Sequence, residues 1–141
     1  MKITSRFTVA AHTLLVIHEY AGTQKVTSEF IAASVNVNPV VIRRALQSLK
    51  AAGMIEVKAG SGGASIAKDL KDITLYDVYA AVDSVSGDIF HFHESPNPAC
   101  TVGRNIHALL DHHLADAQAA LENELKKVTL LDLARELDAK R

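Results

Sequence analysis

Residues 27–66 read TSEFIAASVNVNPVVIRRALQSLKAAGMIEVKAGSGGASI, and this stretch decides the fold. Thr27 precedes Ser28-Glu29-Phe30-Ile31-Ala32-Ala33. A hydroxyl cap followed by an acid in the first turn predicts a short helix there. Asn36-Val37-Asn38-Pro39 stops it and starts another, with Asn38 as cap and Pro39 at the first helical position. The new helix runs to about Ala52 and buries Ile42, Ala45, Leu46 and Leu49, spaced i, i+3, i+4, i+7. Gly53 is placed to end it in the left-handed conformation. The period then changes to two. Ile55 and Val57 alternate with Glu56 and Lys58, Gly60-Ser61-Gly62-Gly63 permits a turn, and Ala64-Ser65-Ile66 returns, which reads as a β-hairpin.

Upstream, Phe7, Ala10, Leu14, Ile17 and Ala21 recur at spacings of three and four, so a further amphipathic helix is expected from Arg6 to Ala21. Three helices and then a glycine-turned hairpin is the order of a winged helix-turn-helix. Downstream, Thr74 opens a helix carrying Leu75, Val78, Tyr79 and Val82, with Asp77 set to complete a near capping box. A loop follows from Asp83 to about Cys100, where Pro96 and Pro98 prevent helix. From Thr101 to Lys127 the residues Val102, Ile106, Leu109, His113, Ala117, Leu121, Leu125 and Val128 step by three and four. At ~1.5 Å per residue this helix extends roughly 40 Å, further than a domain of this size needs, so part of it should pack on a second subunit. Thr129 with Asp132 caps a last helix bearing Leu130, Leu133, Ala134 and Leu137. The expected class is mainly α with a small β-hairpin: a winged helix-turn-helix over residues 1–82, then a sensor loop and dimerisation helices over 83–141.

Composition bounds the function. The 141 residues are 48% hydrophobic and 22% charged, as in a globular protein with a core of its own. No run of ~18 apolar residues spans a membrane, and Met1-Lys2-Ile3-Thr4-Ser5-Arg6 lacks the regions of a signal peptide, so a cytoplasmic protein is expected. The net charge of −1 conceals a division at Lys68: residues 1–68 hold eight Lys/Arg against three acids, and the remainder seven against thirteen. A basic N-terminal half suits a polyanion, although charge alone fits a solvated surface equally well.

With one face of the third helix buried, Val40, Val41, Arg43, Arg44, Gln47 and Lys50 point outward. Arginines can bond guanine bidentately or neutralise phosphate, and valines can meet thymine methyls. Lys58 flanks a hairpin turn whose glycines let backbone approach a sugar-phosphate chain. The alternative is a protein-interaction module on the same fold without DNA binding, against which the basic residues Arg6, Arg43, Arg44 and Lys58 argue. An enzyme is not expected, because no phosphate loop or catalytic triad is visible.

Lys2-Ile3-Thr4-Ser5-Arg6-Phe7-Thr8-Val9-Ala10, Ser28-Glu29-Phe30-Ile31-Ala32 and Asn38-Pro39-Val40-Val41-Ile42-Arg43-Arg44 resemble the Rrf2 family of dimeric winged-helix regulators. The wing Lys58-Ala59-Gly60-Ser61-Gly62-Gly63-Ala64 is similar to that family's G-x-x-G-G motif, with Ala64 where an aromatic is common. The likeness continues through Asp72-Ile73-Thr74-Leu75-Tyr76-Asp77-Val78 and Val128-Thr129-Leu130-Leu131-Asp132-Leu133, and Asn97-Pro98-Ala99-Cys100-Thr101-Val102-Gly103 looks closest to the YwnA-like subgroup. The resemblance implies a homodimer crossing through the long helix, about 101–127, on a pseudo-palindromic double-stranded DNA operator, with repression the expected sign. The DNA-contacting set it and the pattern together imply is Ser5, Arg6, Thr8, Asn38, Val40, Val41, Arg43, Arg44, Gln47, Lys58, Ser61 and Gly62. Cluster-binding members of the family use three cysteines, whereas this chain has one. A single thiolate does not hold an iron-sulfur cluster, so no cofactor is expected.

Cys100 stands where the loop enters the long helix, and a helix N-terminus lowers a thiol pKa. Arg104, one turn on, is expected to add to this, making Cys100 and Arg104 the candidate redox or electrophile sensor. The bland reading of a lone cysteine is a small buried hydrophobe. His91, His93 and His107 are irregularly spaced for a metal site and read as polar surface or interface residues, so no metal is expected.

Overall fold

The computed structural model describes residues 4–60, 63–83 and 89–141. Its order is α1 (Ser5–Tyr20), α2 (Ser28–Val35), α3 (Pro39–Ala51), β1 (Ile55–Val57), β2 (Ala64–Ile66), a 3-10 turn at Leu70–Asp72, α4 (Leu75–Asp83), α5 (Thr101–Lys126) and α6 (Leu130–Ala139). Local chemistry sets most of these limits. Thr27 caps α2 by accepting the Phe30 N–H at 3.1 Å, and Asn36 ends it at φ 64°, a left-handed position that Asn tolerates. Asn38 Oδ1 accepts the Val40 N–H at 2.9 Å, and Pro39 begins α3. Gly53 follows α3 at φ 78°, where a Cβ would be strained. Strands β1 and β2 pair antiparallel in the register Ile55 with Ile66, Glu56 with Ser65 and Val57 with Ala64.

The core gathers one face of each helix. Leu14 and Ile17 of α1, Ile31 of α2 and Ile42 and Leu49 of α3 are fully buried, together with Val26, Ile73 and Val78. Leu46, expected in the same buried row of α3, is only partly covered. The C-terminal helix returns to this core: Leu130 of α6 is fully buried in the same cluster. Its route rests on a bridge that sequence periodicity does not reveal. Thr74 and Thr129 pair antiparallel, with the Leu75 N–H on the Val128 carbonyl at 2.9 Å and the Leu130 N–H on the Ile73 carbonyl at 2.8 Å. Each threonine also begins a capping box with the aspartate three residues on, Asp77 for α4 and Asp132 for α6.

Helix α5 departs from this economy. None of its 26 residues is buried, and Val102 and Leu109 are 63% and 55% exposed. Among the described elements it packs on α4, and the Ile89 N–H donates to its Gln118 at 3.0 Å. Among the described residues no helix is long and apolar enough to cross a membrane.

Candidate nucleic-acid interface

Helix α3 presents the outward residues expected of it: Val40, Val41, Arg43, Arg44, Gln47 and Lys50 are all exposed. The structure divides them between two flanks. On one side a cleft of about 330 Å³ lies between the start of α1, α3 and the end of α4, lined by Ser5, Arg6, Val41, Arg44 and Ser48. On the other a cleft of about 310 Å³ lies between α3, α2 and β1, lined by Ser28, Arg43, Gln47 and Lys50. Adjacent residues on a helix are separated by ~100°, so Arg43 and Arg44 face different neighbours. Each flank therefore carries two cationic side chains beside hydroxyl or amide groups, an arrangement suited to oxygen-rich anionic surfaces.

The arginines differ in their partners. Arg43 donates from Nη2 to Glu29 Oε1 at 2.9 Å, and Ser28 donates to the other Glu29 oxygen at 3.1 Å. The carboxyl of Glu29 is held below the usual carboxylate range by its own backbone N–H, then by Ser28 and by Arg43. Among the described residues Arg44 makes no hydrogen bond or ion pair. Both sides of the Arg43–Glu29 pair are more than half exposed, so the pair orients Arg43 at little energetic consequence. Glu29 and Ser28 were legible in the sequence only as a helix start, because their proximity to Arg43 depends on the angle between α2 and α3.

The remaining expected residues are distributed as follows. Ser5, Arg6 and Thr8 occupy the first turn of α1, exposed, with the Thr8 hydroxyl donating to the Ser5 carbonyl at 3.1 Å. Asn38 spends its side-chain oxygen on capping α3. Lys58 is exposed beside β1, its N–H donating to the Gly63 carbonyl at 3.0 Å, and Gly60 turns the wing at φ 80°. Ser61 and Gly62 lie outside the described residues, as do Met1, Lys2 and Ile3 at the start of the chain.

Cys100 is exposed and stands as the N-cap of α5, which sets aside a buried-hydrophobe role. The backbone N–H groups of Gly103 and then Val102 lower its thiol pKa from the ordinary value. Arg104, expected to share in this lowering, turns instead to donate to the Pro98 carbonyl at 3.3 Å. Gly103 is required by packing: a Cβ there would lie 2.6 Å from the Asn97 carbonyl oxygen. The same Asn97 oxygen accepts the Cys100 N–H, so the close approach holds the turn that seats the cysteine. Among the described residues no three His, Cys, Asp or Glu side chains gather as metal ligands, and the His107 ring meets the His93 carbonyl at 3.0 Å.

Residues 3–136 match the family model Rrf2, described as an iron-dependent transcriptional regulator. The donor set for an iron cluster does not fit, since the chain has one cysteine. Among curated proteins the chain is 44% identical over 135 residues to YwnA of Bacillus subtilis (strain 168), assigned as an HTH-type transcriptional regulator, covering 96% of this chain and 98% of that one. A crystal structure of a protein assigned as DNA-binding is 40% identical with a TM-score of 0.71, over 92% of this chain and 98% of the other. One of a protein from Lactobacillus plantarum, assigned as a transcriptional regulator, is 26% identical with a TM-score of 0.81, over 96% and 91%. With a helix-turn-helix and wing in the expected places and a family match along nearly its whole length, the chain belongs to the Rrf2 family of transcriptional regulators.

Proposed function

We propose that this regulator binds a pseudo-palindromic double-stranded DNA operator as a homodimer and represses by occluding a promoter. The observation that carries the reading is the division of cations along α3. Arg44 joins Arg6 on one flank, Arg43 joins Gln47 and Lys50 on the other, and Val40 and Val41 stand exposed at the N-terminal end. A helix laid in a major groove meets a phosphate strand on either side and base edges along its tip, which matches this distribution. The kinship with a crystallised protein assigned as DNA-binding supports it.

In this reading residues 1–82 contact DNA, with Ser5, Arg6, Thr8, Lys58, Ser61 and Gly62 on the backbone. Residues 83–141 supply the sensor loop and the dimer helix, and α6 returns to brace the first unit. The apolar residues exposed on α5 support a second copy as its partner. The exposed thiol of Cys100, lowered in pKa by the helix start, supports a redox or electrophile response, with Arg104 bracing the turn through Pro98. The protein works in the cytoplasm, without enzymatic activity.

The test is selection of bound DNA from a random duplex pool, followed by salt titration of wild type and of Arg43→Ala plus Arg44→Ala. An enriched inverted repeat, lost with both arginines, supports the reading. Weak, salt-insensitive binding that the double substitution leaves unchanged sinks it and favours a protein partner.

A further inference from the structure

The first turn of α1 and the end of α4 meet at a buried carboxylate. The Asp83 side chain, on the last described residue of α4, is only 1% exposed. Its Oδ1 accepts from the Thr4 hydroxyl at 2.8 Å and lies 3.4 Å from Arg6 Nη2. Its Oδ2 is buried and, among the described residues, has no hydrogen-bond partner. A carboxylate so placed is costly, and the contacts that offset the cost come from Thr4, which caps α1, and from Arg6 in its first turn, 79 and 77 positions away in the chain.

The Thr4 hydroxyl has one proton and two lone pairs. The proton goes to Asp83. The lone pairs are left for Arg6, whose backbone N–H lies at 3.3 Å and whose Nε–H lies at 3.2 Å. Asp83 thus sets the direction of the hydroxyl, the hydroxyl holds Arg6 Nε, and Asp83 itself holds Nη2. The rest of the Arg6 fork, on a side chain 62% exposed, remains for the cleft it shares with Ser5 and Arg44.

We propose that Asp83 is a positioning residue for DNA binding: acting through Thr4, it holds Arg6 with its open N–H edge toward a backbone phosphate in that cleft. What Arg6 is aimed at rests on the DNA-binding reading above; that Asp83 aims it does not. The sign of the effect separates positioning from simple charge. An acid close to Arg6 repels phosphate, so charge alone makes Asp83→Ala bind DNA more tightly, whereas loss of positioning weakens binding.

Asp83→Ala, Thr4→Val, Arg6→Ala and the double variant Asp83→Ala plus Arg6→Ala are titrated with the selected duplex over a salt series. The Arg6 Nε–H resonance is followed by NMR in the free protein. Asp83→Ala and Thr4→Val should each weaken binding roughly tenfold and flatten the salt slope by about one. Both should shift the Arg6 resonance, and the double variant should bind no more weakly than Arg6→Ala. Thr4→Val keeps the shape of the residue, so agreement between it and Asp83→Ala separates positioning from unfolding. Unchanged or tighter binding by Asp83→Ala overturns the proposal, and so does an Arg6 resonance that neither variant moves. Should wild type bind no duplex, the DNA reading fails, and the resonance by itself decides whether Asp83 positions Arg6.

Discussion

Replacing Leu109 on α5 should weaken the proposed dimer while leaving the fold of each chain intact. The helix has 26 residues, none buried, and spans about 39 Å at its ~1.5 Å rise. Leu109 is 55% exposed, with Val102 at 63% and Leu110 at 37%. Fully burying a leucine contributes ~1.5–3 kcal/mol, so covering the exposed half contributes roughly 1–1.5 kcal/mol. In a two-fold interface the same residue counts twice, and Leu109→Ala should cost about 2–3 kcal/mol of association. That weakens the dimer Kd by roughly 30- to 150-fold. Leu109→Glu should go further, because two carboxylates would then be desolvated in the interface. Sedimentation equilibrium over a hundredfold range of concentration measures both variants, with circular dichroism confirming that helix content persists. A wild-type chain that stays monomeric throughout, or a Leu109→Glu variant that dimerises like wild type, refutes the argument that this stripe is an interface.

Further outcomes are expected at Thr129, Asp132, Cys100 and Gly103. Thr129→Ala should lower stability by about 1 kcal/mol through loss of the α6 cap. Asp132 in the same box is held below the usual carboxylate range by the Thr129 N–H and hydroxyl, so its contribution is present above its unfolded pKa and lost as pH falls through its folded pKa. Thermal unfolding should show the deficit of Asp132→Ala shrinking on acidification; a constant deficit contradicts this. At Cys100, the rate of alkylation by iodoacetamide should inflect below the ordinary thiol value of ~8.5. Gly103→Ala, which places a Cβ 2.6 Å from the Asn97 carbonyl, should move the inflection upward by disturbing the Asn97–Cys100 turn, and an unmoved inflection would separate the thiol's acidity from that geometry.

The helices and the wing were legible in the sequence because their determinants act within a few residues. Thr27, Asn38, Thr74 and Thr129 each bond a backbone N–H two or three positions on, and Gly53 has the left-handed φ its place demanded. Helical spacing likewise named Ile42 and Leu49 as core, since a period of 3.6 puts them on one side whatever they pack against. The exposed cations of α3 follow from the same geometry by subtraction. Tertiary structure alone decided what those cations face. Arg43 meets Glu29 and Arg44 joins Arg6 because of the angles at which α2 and α1 cross α3, which no spacing encodes. The return of α6 onto the core through the Thr74–Thr129 bridge joins segments 55 positions apart, and the Thr4–Asp83 contact joins segments 79 apart. The reason is that caps and periodicity are properties of a short stretch of chain, whereas an ion pair or a bridge between distant segments exists only once the core has set their separation.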